Sequence, residues 1–120
     1  MGVVRNNHVL TVTDADATAA FFIDTLGFVS LDVPDPKRRF VERDNFVITI
    51  RSNPDAIPVA DLGDHAQIAY WVVDDARAYF DRVRKNGAEV TRELADQPWG
   101  MREFELRTPD GHRIKIGQAI

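Results

Sequence analysis

A chain of 120 residues and 13.6 kDa fits a single domain, and with 44% hydrophobic and 28% charged residues it is not a disordered segment. Fifteen Lys and Arg against nineteen Asp and Glu give a net charge of −4, which excludes a sequence-wide basic field for nucleic acid. The absence of cysteine excludes disulfides, thiolate nucleophiles and cysteine-ligated metals.

The opening MGVVRNNHVLTV has no positive segment leading into a long apolar one, and no later stretch approaches ~20 apolar residues. A membrane partner is therefore not expected, and a cytoplasmic location is. Val9 to Val12 is an apolar run that predicts a strand. Asp14 or Asp16 then offers an N-cap to a helix whose Ala19, Phe22, Ile23 and Leu26 recur at i, i+3, i+4 and i+7, and Gly27 stops it. Three extended stretches follow, Phe28 to Val33, Arg39 to Arg43 and Phe46 to Arg51, with Asp44-Asn45 as a turn between the last two. Residues 53–64, which include Pro54 and Pro58, read as a connection.

The same order then returns. Ile68 to Val73 is apolar, Asp74 or Asp75 offers a cap, and Ala76, Tyr79, Phe80 and Val83 form the next helical stripe before Gly87. Ala88 to Arg92, Arg102 to Arg107 and His112 to Gly117 are extended, with Pro109-Asp110-Gly111 as the last turn. Asp14 and Asp74 are sixty positions apart, as are Gly27 and Gly87, so a β-α-β-β-β unit occurs twice. The expected fold is α+β: one domain over residues 1–120, with modules at about 5–52 and 65–120. One helix covers only one face of a four-stranded sheet. Paired modules, within the chain or across two subunits, would curve their uncovered faces as a mixed sheet around a cleft, and a homodimer is expected.

The segments VLTVTDADATAAFFIDTLGF, AQIAYWVVDDARAYFDRVRKNGAEV and QPWGMREFELRTPDGHRIKIG together resemble the vicinal-oxygen-chelate superfamily, which includes glyoxalase I, extradiol dioxygenases, fosfomycin-resistance transferases and bleomycin-resistance proteins. QPWG followed by REF and LR is most similar to the bleomycin-resistance branch. In that branch a proline precedes VLT where an arm crosses to the partner, whereas this chain has His8 there. Enzymes of the superfamily carry a metal on four strand positions, and the resemblance places these on Asn7, Thr49, Gln67 and Lys115. Two amides, a hydroxyl and an ammonium are a poor donor set for a divalent ion, so no metal and no cofactor is expected. His8 has the wrong parity for that frame, His112 falls in the last hairpin turn, and His65 shares the parity of Gln67 but stands alone.

The resemblance implies a small-molecule ligand, an aromatic and cationic antibiotic sequestered in the cleft. If Gln67 faces the cleft, strict alternation brings Trp71 to the same side. Trp99, in the QPWG loop, either stacks on the ligand or plugs the cleft as core. Met101 and Glu103 share the parity opposite to the apolar Phe104 and Leu106; Glu103 and Glu105 then meet a cationic ligand or stand solvated on an exposed strand. Phe40 is core or cleft rim, and Thr49 is a further lining candidate. The contrasting function is a divergent lyase, isomerase or oxygenase of the same superfamily, or a metal-free catalyst on its scaffold. The chain has no Ser-His-Asp order, Walker loop or dinucleotide glycine fingerprint to name a reaction.

Overall fold

A computed structural model of the chain describes residues 2–4, 6–44, 46–57 and 59–120. Asn45 of the expected first turn and Pro58 of the expected connection lie outside the described residues. The chain divides into two compact units, Met1–Pro58 and Val59–Ile120.

The first unit runs β1 (Asn7–Val12), α1 (Ala15–Asp24), β2 (Val29–Leu31), β3 (Arg38–Arg43) and β4 (Phe46–Ser52). Its sheet has the order β1-β4-β3-β2; β1 pairs in parallel with β4, and the other pairings are antiparallel. The Asp14 carboxylate accepts the Ala17 amide proton at 3.1 Å, satisfying a donor that has no partner within the first turn of α1. Ala15, Ala19, Phe22 and Leu26 are buried. Phe22 meets Phe28 edge-on at 5.3 Å, and Phe28 meets Phe46 of β4 in the same way, which fixes the parity of Phe46, Ile48 and Ile50 as the helix-facing side. At the other end of α1, the Leu26 carbonyl accepts a 2.6 Å bond from the Arg43 guanidinium.

The second unit opens with a 3-10 helix at Ala60–Ala66, kinked at Gly63, followed by β5 (Gln67–Val72), α2 (Ala76–Lys85), β6 (Glu89–Asp96), β7 (Met101–Arg107) and β8 (Arg113–Ala119). Its sheet order is β5-β8-β7-β6, again with one parallel pair. Half of the expected connection is thus structured and belongs to this unit. The Val59 amide donates to the Asp110 carbonyl at 3.2 Å, and Gly111 approaches so closely that a Cβ there would lie 2.4 Å from Ala60 Cα. The expected α2 stripe holds in full, since Ala76, Tyr79, Phe80 and Val83 are buried. Phe80 packs on Phe104 of β7 with ring centroids 5.1 Å apart, and Tyr79 lies 6.4 Å from the same ring.

The hydrogen-bonded ladders therefore form two four-stranded mixed sheets, one per β-α-β-β-β repeat. The sixty-residue spacing conceals an irregularity. Helix α2 is capped by Asp75, which accepts from the Ala78 amide at 3.0 Å, so the functioning caps are Asp14 and Asp75, one position more than sixty apart. The extra residue sits in β5 as a bulge, where the register against β8 shifts between Gln67 and Ala69. It is offset after the helix: two residues, Thr25 and Leu26, separate α1 from Gly27, whereas Asn86 alone separates α2 from Gly87.

Candidate functional site

The β5 bulge decides which side chains meet. Beyond it Tyr70 lies opposite Lys115, and Trp71 lies opposite Ile116, which in turn lies opposite Phe104. Because Phe104 packs on α2, Trp71 faces α2 as well. The expectation that Trp71 shares the side of Gln67 is corrected. Strict alternation fails there because one inserted residue reverses the parity of everything after it. Tyr70 and Val72 take the opposite face, and Val72 is 69% exposed.

On that face β7 supplies Met101, Glu103 and Glu105, and β8 supplies Lys115 and Gly117. Glu103 and Glu105 are buried, so the alternative of carboxylates standing solvated on an exposed strand is set aside. Burying a carboxylate is costly unless it is paired or hydrogen-bonded, and both are. The Tyr70 hydroxyl donates a short bond to Glu103. Glu105 accepts from the Thr91 hydroxyl at 2.8 Å and from the Arg113 guanidinium at 3.2 Å, with Gln67 Nε2 at a long 3.5 Å. Gly117 makes room for the first of these pairs, since a Cβ there would lie 2.3 Å from the Tyr70 oxygen and 3.2 Å from Met101 Cε. Desolvation, reinforced by the bond to Glu103, pushes the Tyr70 phenol up to about 12, so at neutral pH it stays a donor.

Trp99 caps this region from the β6–β7 turn. The Gln97 amide bonds the Met101 carbonyl at 2.8 Å, the Gly100 amide returns to the Gln97 carbonyl at 3.0 Å, and the Ile120 amide reaches the Gly100 carbonyl at 3.0 Å. Arg102 grips the Asp96 carboxylate through two nitrogens at 2.7 and 3.2 Å, closing the base of the turn and holding that carboxyl below its usual range. On this fixed turn the Trp99 side chain is 64% exposed, so it is not a core plug. With Arg92, Glu93, Gln97, Glu103, Phe104 and Lys115 it lines a small recess of about 50 Å³, open to solvent.

The expected lining residues are thus only partly brought together. Trp99 and Glu103 share the recess and Met101 adjoins it, but Trp71 is on the opposite face of the sheet. Phe40 and Thr49 belong to the first unit, where they are cross-strand neighbours on the face away from α1. Lys115 was not expected as lining, nor Tyr70 as the partner of Glu103. Tyr70 was hidden by the bulge, and Lys115 entered only as a failed metal position. That donor set still does not fit a metal: Gln67 points its amide nitrogen at Glu105, Lys115 brings an ammonium, and Asn7 and Thr49 offer neutral oxygens at best. Among the described residues no three His, Asp or Glu side chains gather as a ligand group.

The profile of the Glyoxalase/Bleomycin resistance protein/Dioxygenase superfamily matches residues 5–116. The chain belongs to this superfamily. An uncharacterized protein of Mycobacterium tuberculosis is 28% identical over 122 residues, covering 92% of this chain and 72% of that protein. Among solved structures of the superfamily's fold, the bleomycin resistance determinant encoded on transposon Tn5 has a TM-score of 0.78 at 22% identity over 98% of both chains. A glyoxalase-related enzyme from Clostridium phytofermentans has a TM-score of 0.78 at 19% identity, over 100% of this chain and 98% of that one. TioX from Micromonospora sp. ML1 has a TM-score of 0.73 at 22% identity, over 97% and 96%. At these identities the likeness to solved structures is one of fold.

Proposed function

We propose that the chain is a metal-free small-molecule-binding protein that sequesters an aromatic antibiotic as a homodimer, with Trp99 as the platform on which the ligand stacks. The observation that carries this reading is the exposed indole of Trp99, held by a hydrogen-bonded turn beside a recess whose buried polar groups are paired. A large aromatic left two-thirds exposed on a rigid turn contributes little to the core, yet supplies contact area at low entropic cost to a planar ligand. At about 50 Å³ the recess is far smaller than ligand pockets, which run from roughly 300 to 1,000 Å³, so a ligand rests on the exposed indole rather than being enclosed. The bleomycin resistance determinant among the structural neighbours is in keeping with an antibiotic ligand, and the unsuitable donor set at Asn7, Thr49, Gln67 and Lys115 supports binding without a metal. For the dimer, the support is the pair of sheet faces that α1 and α2 leave uncovered, which carry exposed Val9 and Val29 in the first unit and Tyr70 and Val72 in the second.

Equilibrium dialysis of the purified protein against planar aromatic compounds, bleomycin included, tests the reading. The expected result is saturable binding that Trp99→Ala abolishes, with the compound recovered chemically unchanged after denaturation. Recovery of a converted product, or near-equimolar divalent metal by elemental analysis after metal-supplemented expression, would move the assignment to the enzymes of the superfamily.

A further inference from the structure

Four charged side chains line the Trp99 recess; two are neutralised by ion pairs, and a third, the buried Glu103 carboxylate, keeps its charge and is satisfied by a hydrogen bond. Arg92 pairs with Asp64 at 2.9 Å, Glu93 with Arg84 at 2.6 Å, and Glu103 receives the Tyr70 hydroxyl. The fourth is Lys115. It lies between Tyr70 and Glu105 on the face away from α2, but the Glu105 carboxylate is turned to Thr91 and Arg113. Among the described residues Lys115 has no carboxylate within ion-pairing distance. The one charged side chain of the recess with neither an ion pair nor a hydrogen bond is therefore positive, and it is partly buried.

A ligand that stacks on Trp99 covers this ammonium and removes it from water. Covering an unpaired charge is unfavourable unless the ligand returns a counter-charge, whereas a cationic ligand would add repulsion to desolvation. Of the neighbouring carboxylates, Glu93 and Glu105 are ion-paired with arginines, and Glu103, though still charged, is buried and bonded to the Tyr70 hydroxyl, so a cation gains less there than an anion gains at the partnerless Lys115. We propose that the recess selects a planar aromatic carboxylate, with the carboxylate on Lys115 and the ring on Trp99, in place of the cationic ligand that the sequence led us to expect. This rests on Trp99 being the ligand platform.

The test compares three probes that share one ring system and differ in charge: naphthoate, naphthylmethanol and naphthylmethylammonium. Their affinities are measured by equilibrium dialysis at neutral pH and low salt. Naphthoate is expected to bind about tenfold more tightly than the alcohol, and the ammonium more weakly than either. Lys115→Gln should lose that factor for naphthoate while leaving the alcohol unchanged, and Lys115→Arg should restore it, with melting temperatures confirming that each variant folds. Equal or tighter binding of the ammonium, or naphthoate affinity indifferent to Lys115→Gln, would overturn the selectivity for anions. In that event Trp99-dependent binding of the other probes would leave the platform standing. If none of the three binds, both the platform and the selectivity fall.

Discussion

Trp99 and Trp71 show how differently one residue type is used in the same unit. Trp99 stands exposed on the β6–β7 turn, so Trp99→Ala should change unfolding free energy by no more than about 0.5 kcal/mol while removing ligand affinity. Phe80→Ala, which empties the ring contact between α2 and Phe104, should cost about 3–5 kcal/mol in the same denaturant titration. A collapse of Trp99→Ala comparable to that of Phe80→Ala would return Trp99 to the core. His112 carries the pH dependence. Burial pushes its imidazole below the ordinary 6.5, with Asp110 pulling the other way. As pH falls, the unfolded chain takes up this proton before the folded one, so stability is full above the ordinary value and declines below it. The decline between about pH 7.5 and 5.5 should be steeper in the native protein than in His112→Gln; parallel curves would contradict it.

The helices and their stripes were legible because a 3.6-residue period over ten residues is hard to produce by chance, as Ala76, Tyr79, Phe80 and Val83 show. The bulge in β5 was not. Ile68, Ala69, Tyr70, Trp71 and Val72 are apolar on both parities, so no alternation marks the slip, and the residue lost before Gly87 restores the sixty-residue spacing. With the bulge went Tyr70 and the orientation of Trp71. Trp99 was legible because it lies outside any apolar period. The burial of Glu103 and Glu105 was not, because it depends on partners from β5, β6 and β8 that only strand pairing supplies. The last hairpin offers a test at this scale. Gly111→Ala faces both a positive φ of 96° and the Ala60 backbone, whereas Gly87→Ala faces a φ of 92° with nothing within 4 Å. The first should therefore cost more than the second, and more than about 1 kcal/mol; equal costs would mean that the 3-10 helix yields freely.

Across the whole molecule, a fold recurring in two units carries its proposed ligand chemistry in one of them, where Tyr70, Glu103, Lys115 and Trp99 come together. Among the described residues no helix is long and apolar enough to cross a membrane. Light scattering at micromolar concentration should give about twice 13.6 kDa, as two-fold closure requires; a monomer at every accessible concentration would contradict the proposed dimer. The proposed ligand meets the Trp99 side of the second sheet rather than the side packed on α2. The chain has two tryptophans, one on each side, and hence two indole N–H resonances, which Trp99→Phe assigns. In a nuclear magnetic resonance titration with naphthoate, the Trp99 indole signal should shift saturably while that of Trp71 stays in place. A shift confined to Trp71, or no shift of either signal at millimolar probe, would rule out the Trp99 side as the ligand site.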